Sequence, residues 1–207
     1  MAALAITIIR PHPGKRQAAE SRARQAGGIY ARHGASVKIT NFIAGPYTGC
    51  IGLIRAYADF QTAAKAFQAA SSDPAYAEFE REREANPLAE IVMGRNIARS
   101  IYGESKWATH PVTQLRQYDI TRDKVSDALK LFPKVSKVVS KNDVNVLGLL
   151  PVTGDDMSSM TISYQFRSID HWAEAADTVA ASKEFQAIVA EASKLGTLRS
   201  ASVMVPL

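Results

Sequence analysis

The hydrophobic and polar positions of this chain form one pattern that occurs twice. In each half, a segment with period-two alternation indicates a strand, followed by a helix, two further strands, a second helical region and a last strand. The predicted strands are 4–10, 37–43, 50–57 and 88–97, then 112–120, 144–150, 160–166 and 198–205. The predicted helices are 14–33, 60–70 and 74–84, then 123–141 with a break at Pro133, 170–180 and 183–194.

The two halves align without a gap at a constant offset of 109 positions. We take 1–98 as repeat 1, 99–109 as a connector and 110–207 as repeat 2. Each repeat has the β-α-β-β-α-β order of a ferredoxin-like unit, in which both helices cover one face of a four-stranded antiparallel sheet. The other face is apolar and needs a partner sheet. We therefore predict an α+β chain whose two sheets face each other as an α/β barrel.

Composition and charge narrow the range of partners. With 46% hydrophobic and 22% charged residues, the 207-residue chain is typical of a folded globular protein. The net charge of +5 is spread along the chain and forms no basic stripe, so we expect no nucleic-acid partner. No apolar stretch reaches the roughly 18 residues of a membrane span. Cys50 is the only cysteine, which excludes an intrachain disulfide and fits a reducing compartment such as the cytoplasm.

Several turn and helix-end segments resemble those of a known family. In repeat 1 they are Pro13-Gly14-Lys15, the helix end at 29–34, the turn Ala44-Gly45-Pro46, the strand end at 57–59 and the segment 72–76. In repeat 2 they are 164–168, 170–172 and 181–185. Together they resemble the NIPSNAP-type branch of the dimeric α/β-barrel superfamily over nearly the whole chain.

The resemblance implies the fold, with a pocket in or beside the barrel. It also implies several activities found in the superfamily: cofactor-free oxygenation of aromatic polyketides, heme binding or degradation, and muconolactone isomerase-like chemistry. Stress-responsive proteins without a known activity belong to it as well. Since one fold hosts all of these functions, the fold alone does not choose among them.

His171 and Trp172 are candidate ligand-binding residues, because a histidine able to bind a metal or move a proton stands beside a large aromatic side chain. Trp172 shares a helical stripe with Ala176 and Val179, which favours packing. His171 lies at the edge of that stripe beside Asp170, a good N-cap residue, which favours a capping or exposed histidine over a heme ligand.

Arg55 and Tyr164 are the other candidate ligand-binding residues, and they occupy equivalent positions at the offset of 109. Alternation places each of them on an otherwise apolar face of its strand. A polar group on such a face needs a partner. The partner is either a salt bridge at the rim of the barrel, which we favour, or the carboxylate or phenolate of a ligand.

These observations predict a small-molecule-binding α/β-barrel protein without a recognisable catalytic motif, its ligand being apolar or aromatic. The alternatives are a cofactor-independent monooxygenase or isomerase acting on a small aromatic substrate, and a heme-binding protein that uses His171. We expect no metal and no resident cofactor, since the histidines lack metal-ligand spacing. The pattern leaves two points open: a monomer with pseudo-twofold symmetry or a homodimer, and an open lumen or one filled by Phe42, Met160 and Phe166.

Overall fold

The computed structural model describes residues 2–207 of the chain. The strands of repeat 1 are β1 (Ala3–Pro11), β2 (Ser36–Ala44), β3 (Ile51–Tyr57) and β4 (Ala89–Tyr102), and those of repeat 2 are β5 (Val112–Ile120), β6 (Asn145–Thr153), β7 (Ser159–Phe166) and β8 (Gly196–Pro206). The helices are α1 (Arg16–Arg32), α2 (Phe60–Ser71), α3 (Pro74–Ala85), α4 (Val125–Leu129), α5 (Phe132–Val139), α6 (Ile169–Thr178) and α7 (Lys183–Ala192).

The eight strands form one closed antiparallel barrel in the order β1-β3-β2-β8-β5-β7-β6-β4. Within each repeat the strand order is that of a ferredoxin-like unit, and the predicted α+β barrel of two facing sheets is confirmed. The two sheets are also joined by hydrogen bonds at both edges, where β2 pairs with β8 and β4 pairs with β6. We call these two junctions the seams. Closure through the seams leaves no free sheet edge between the repeats, and free edges invite unwanted pairing.

The offset of 109 positions relates two pairs of strands residue for residue. Adding 109 to the bounds of β1 gives those of β5, and the same is true of β2 and β6. The register also repeats, since Arg55 faces Val37 on β2 and Tyr164 faces Val146 on β6. The two repeats therefore place corresponding residues at equivalent points of the sheet. The assignment of 1–98 and 110–207 as separate folding units stays a prediction.

Local signals explain most helix boundaries, with some differences from the predictions. The predicted helix 123–141 is interrupted at residues 130–131, before Pro133, which lies in the first turn of α5. Asp73 caps α3 as the Asp-Pro pair indicates, and its carboxylate accepts a hydrogen bond from the Ala75 N–H at 2.9 Å. Helix α6 is capped by Ser168 and not by Asp170, because the Ser168 hydroxyl accepts from the His171 N–H at 3.1 Å. β4 extends through Tyr102, so the first residues of the predicted connector are strand residues that pair with β6.

The helices cover the outer face of the barrel and bury most of the core. In repeat 2 this layer is well filled, since α5, α6 and α7 contribute Phe132, Trp172, Phe185 and Ile188. In repeat 1, helix α1 contributes the small side chains Ala19, Ala23 and Ala26. Among residues 2–207, none of the helices combines the length and the apolar character needed to cross a membrane.

Candidate functional site

Two cavities of ligand size lie on opposite faces of the barrel wall, one under the helices and one inside the barrel. The first, about 460 Å³, lies in repeat 1 between helices α1 and α3 and strands β1, β3 and β4; we call it the helix-side cavity. The second, about 570 Å³, is the lumen of the barrel. Both volumes fall within the roughly 300–1,000 Å³ of typical small-molecule sites. The lumen is thus open, and of its three candidate fillers only Phe42 lines it, because Met160 and Phe166 face the helices.

Arg55 lies at the sheet side of the helix-side cavity and is 1% exposed. Its Nη2 donates a hydrogen bond to Thr7 Oγ1 at 2.8 Å, and its guanidinium carbon lies 4.6 Å from the centre of the Tyr30 ring. Its Nε is buried without a hydrogen-bond partner. Burial lowers the pKa of Arg55, yet a guanidinium keeps its charge at any ordinary pH. A salt bridge at the barrel rim, the reading favoured from the sequence, is not what the structure shows.

Tyr30 lies between Arg55 and a second arginine. Arg95 stands at the exposed side of the cavity, where its Nη2 donates to the hydroxyl oxygens of Tyr30 at 3.2 Å and Tyr76 at 3.4 Å. The acidic residues of the lining are Glu80 and Glu84, and Glu80 forms an ion pair with Arg83. Within residues 2–207, neither Arg55 nor Arg95 forms an ion pair with a carboxylate. The cavity therefore has a mainly apolar lining, and the buried guanidinium of Arg55 has no carboxylate partner among residues 2–207.

The corresponding space in repeat 2 is filled. At the offset of 109, Ala23 corresponds to Phe132, Ala26 to Val135 and Arg55 to Tyr164. Two small voids, of about 40 and 70 Å³, lie in this layer of repeat 2. The two repeats share a backbone pattern, so the difference in cavity size comes from the side chains. Repeat 1 has an open site where repeat 2 has a packed core.

Tyr164 and Trp172 border the same void of about 70 Å³ in repeat 2, away from Arg55. Tyr164 is buried, which raises the pKa of its hydroxyl group. Trp172 is half-buried in the core cluster, as the helical stripe indicates, and its indole Nε1 is buried without a hydrogen-bond partner. A void of this size does not admit an aromatic ligand.

His171 is buried and engaged through both ring nitrogens. Its Nδ1 accepts a hydrogen bond from the Arg167 N–H at 3.1 Å, and its Nε2–H donates to the carbonyl oxygen of Asn142 at 2.7 Å. The imidazole thus ties the start of α6 to the loop before β6. An iron ligand needs a free ring nitrogen, and this arrangement leaves none. The structure therefore separates the four candidate residues: Arg55 lines the helix-side cavity, Tyr164 and Trp172 share a small void, and His171 holds a loop.

Within the described part of the chain, no three His, Cys, Asp or Glu residues lie close enough together to hold a metal ion. Tyr30, Thr7 and Arg95 belong to the helix-side cavity and were not singled out from the sequence. A signal for the cavity does exist in the sequence. With the repeats side by side, small residues of α1 stand opposite Phe132 and Val135, which predicts unequal filling of the two units.

Comparison with known proteins agrees with the fold. No family model matches the chain, and no curated protein matches its sequence significantly. An anthrone oxidase-like protein superposes with a TM-score of 0.65 at 10% identity, covering 100% of this chain and 91% of that one. A candidate monooxygenase from Fusobacterium nucleatum gives 0.64 at 11% identity, with 100% and 93% covered. A heme-binding protein from Thermus thermophilus gives 0.56 at 8% identity, with 100% and 91% covered.

These likenesses show the fold class. The chain has a ferredoxin-like architecture, with two ferredoxin-like units of one polypeptide closed into a barrel. At such low identity they show nothing about the activity, which has to be argued from the site itself.

Proposed function

We propose that this protein binds a small aromatic molecule carrying a carboxylate or phenolate group, and that the helix-side cavity is its site. The observation that carries the proposal is the Arg55 guanidinium, 1% exposed at the sheet side of an apolar cavity and without a carboxylate partner among residues 2–207.

A buried charge without a counter-ion is costly, because the desolvated group loses several kcal/mol of hydration that only an opposite charge or hydrogen bonds restore. A bound anion would supply both. Arg55 offers N–H groups in the planar fork that matches a carboxylate, and Arg95 adds a second cation at the opening. The aromatic body of the ligand would lie against Ile51, Leu53 and Phe79.

The first prediction compares two ligands of the same shape. We expect 2-naphthoate to bind about 30-fold more tightly than the uncharged 2-naphthylmethanol, because a charge-assisted hydrogen bond contributes about 2 kcal/mol. Isothermal titration calorimetry measures both affinities. Ala23→Leu places a large side chain in the cavity, where repeat 2 has Phe132, and should abolish binding of 2-naphthoate.

Ala31→Leu is the matched control, because it makes the same change on the exposed side of α1. It should leave binding unchanged. Equal affinities for the two ligands, or an Ala23→Leu variant that binds 2-naphthoate like the parent, would contradict the proposal.

A cofactor-independent oxygenase is the second candidate function. It is favoured by the cation beside the aromatic cavity, since a guanidinium lowers the pKa of a bound phenol or enol and so stabilises the electron-rich anion that O₂ oxidises. For anthrone, the reaction would consume one O₂: one oxygen atom becomes the new ketone oxygen of anthraquinone, and the other leaves as water with the two methylene hydrogens.

We expect the protein to raise the rate of O₂ uptake by anthrone above the spontaneous rate, and Arg55→Met to lower the enzymatic part at least about ten-fold. An oxygen electrode measures the O₂ consumed, and chromatography measures the anthraquinone formed. Uptake equal to that of buffer would remove this candidate and leave the binding proposal standing.

Two further assignments are also our proposals. The turn and helix-end segments support a place in the NIPSNAP-type branch of the superfamily. Cys50, a buried free thiol, supports a reducing compartment such as the cytoplasm.

A further inference from the structure

The barrel lumen is a second cavity with a different chemical character from the helix-side cavity. The connector closes one end of the lumen, which we call its floor, and Trp107 of the connector lines the cavity there. The Gln165 side chain fixes this connector, because its Oε1 accepts from the Lys106 N–H at 2.8 Å and its Nε2 donates to Ser105 Oγ at 3.1 Å. Lys38 Nζ lies 5.2 Å from the centre of the Trp107 ring and donates to the Pro111 carbonyl oxygen at 2.7 Å. The floor is therefore held in place by several contacts.

The polarity of the side chains that line the lumen differs from one side of the barrel to the other. Strands β1 and β3 contribute aliphatic side chains, Leu4, Ile6, Ile8 and Ile54. Strands β7 and β8 contribute hydroxyl groups, from Ser159, Thr161, Ser163, Ser200 and Ser202. The charged lining residues are Asp155, Asp156 and Arg199 in the open mouth, where Arg199 pairs with Asp156 and with Asp119.

The hydroxyl groups form two levels along the lumen. Leu115 on β5 is paired with Ser163 on one side and Ser202 on the other, so these two hydroxyls flank it at one depth. Gln117, two residues further along β5, is paired with Thr161 and Ser200 and forms the second level. Since neighbouring strands are about 4.8 Å apart, the two serines of the first level are roughly 10 Å apart.

Ser163 and Ser202 are buried residues, each 5% exposed, and both line the lumen. Buried hydroxyl groups nearly always have a partner. The hydroxyl groups of Ser163 and Ser202 are therefore available for hydrogen bonds with a molecule that occupies the lumen.

We propose that the lumen binds an uncharged, elongated and mainly apolar molecule with a hydroxyl or carbonyl oxygen, whose oxygen bonds to Ser163 or Ser202. An anion is disfavoured there, because no cation lines the cavity inside the mouth and a carboxylate would be desolvated without compensation. The proposal is independent of the helix-side cavity, which takes an anion.

The experiment uses Trp107 as a reporter on the floor of the lumen. The chain has two tryptophans, so the Trp172→Phe variant leaves Trp107 as the single source of indole emission. A bromine atom quenches indole fluorescence at contact distance. We expect 8-bromooctan-1-ol to quench Trp107 saturably, and 8-bromooctanoate to bind at least about ten-fold more weakly.

The double variant Ser163→Ala, Ser202→Ala in the same background tests the hydroxyl groups. We expect about five-fold weaker binding of 8-bromooctan-1-ol, the loss of one hydrogen bond, and no change for 1-bromooctane, which has no hydroxyl. Circular dichroism checks the fold, and the single variants Ser163→Ala and Ser202→Ala test the same hydroxyl groups if the double variant does not fold.

Arg55→Met should leave quenching by the bromo-alcohol unchanged, which separates this proposal from the proposed function. Quenching that does not saturate, or equal affinity of the parent and the double variant for the bromo-alcohol, would overturn the proposal.

Discussion

Replacing Arg55 with methionine is expected to weaken the binding of 2-naphthoate about 100-fold while lowering the free energy of unfolding by no more than about 1 kcal/mol. Loss of the guanidinium removes charge-assisted hydrogen bonds of about 1.5–3 kcal/mol each, and 2.7 kcal/mol corresponds to a factor of 100. Methionine keeps the unbranched aliphatic stem and fills similar space. Titration calorimetry gives the affinity.

The stability of the same variant distinguishes a ligand site from a structural role. A buried, unpaired charge opposes folding, so its removal offsets the lost hydrogen bond to Thr7 and the lost contact with the Tyr30 ring. We expect the free energy of unfolding to stay within about 1 kcal/mol of the parent or to rise. Urea unfolding measures it.

Arg10→Met is the matched control, since Arg10 is exposed and pairs with Glu90 at 3.5 Å. It removes the same formal charge and should leave binding of 2-naphthoate unchanged. An Arg55→Met variant that binds like the parent, or that loses more than about 2 kcal/mol of stability, would make Arg55 a structural residue.

Replacing Gly45 with alanine is expected to lower the free energy of unfolding by about 3 kcal/mol or more. Gly45 follows β2 at the first seam and has a φ of 93°, a left-handed conformation that L side chains rarely adopt. A Cβ atom there would overlap the carbonyl oxygen of Ala201 and lie 2.8 Å from Ser202 Cα on β8. Backbone strain and a clash with the other repeat therefore add together.

Gly14→Ala separates the two causes. Gly14 has a φ of 72°, and a Cβ atom there would meet nothing within 4 Å. We expect Gly14→Ala to lower the free energy of unfolding by about 1–2 kcal/mol, the cost of the strained backbone conformation alone. Urea unfolding measures both variants, and equal losses would show that contact across the seam contributes little.

The second seam has a similar requirement at Gly103, directly after β4. Its φ is 71°, and a Cβ atom would overlap the carbonyl oxygen of Val146 on β6. Both junctions between the repeats therefore use a glycine where the backbone of one repeat approaches that of the other. The sequence showed Gly45 only as a turn residue, because the strand it faces is more than 150 positions away.

The candidate site was predictable only in part. Arg55 was recognised because alternation puts a charge on an apolar strand face, and in the structure that face is the one that packs against the helices. Its neighbours Thr7 and Tyr30 lie on β1 and α1, and nothing local to them indicates a cavity. His171 looked like a capping residue, whereas its ring bonds to Asn142, 29 positions earlier in the chain.

By itself, the sequence determined the two ferredoxin-like units, the order of their strands and which residues share a strand face, because alternation, helical periodicity, glycine and proline act over a few neighbouring residues. The tertiary structure alone decided that the sheets close through two seams, that small α1 side chains leave the cavity around Arg55 open, and that Leu115 stands between Ser163 and Ser202. A cavity and the partner of a buried charge depend on side chains that meet from distant parts of the chain, and no local pattern specifies which ones meet.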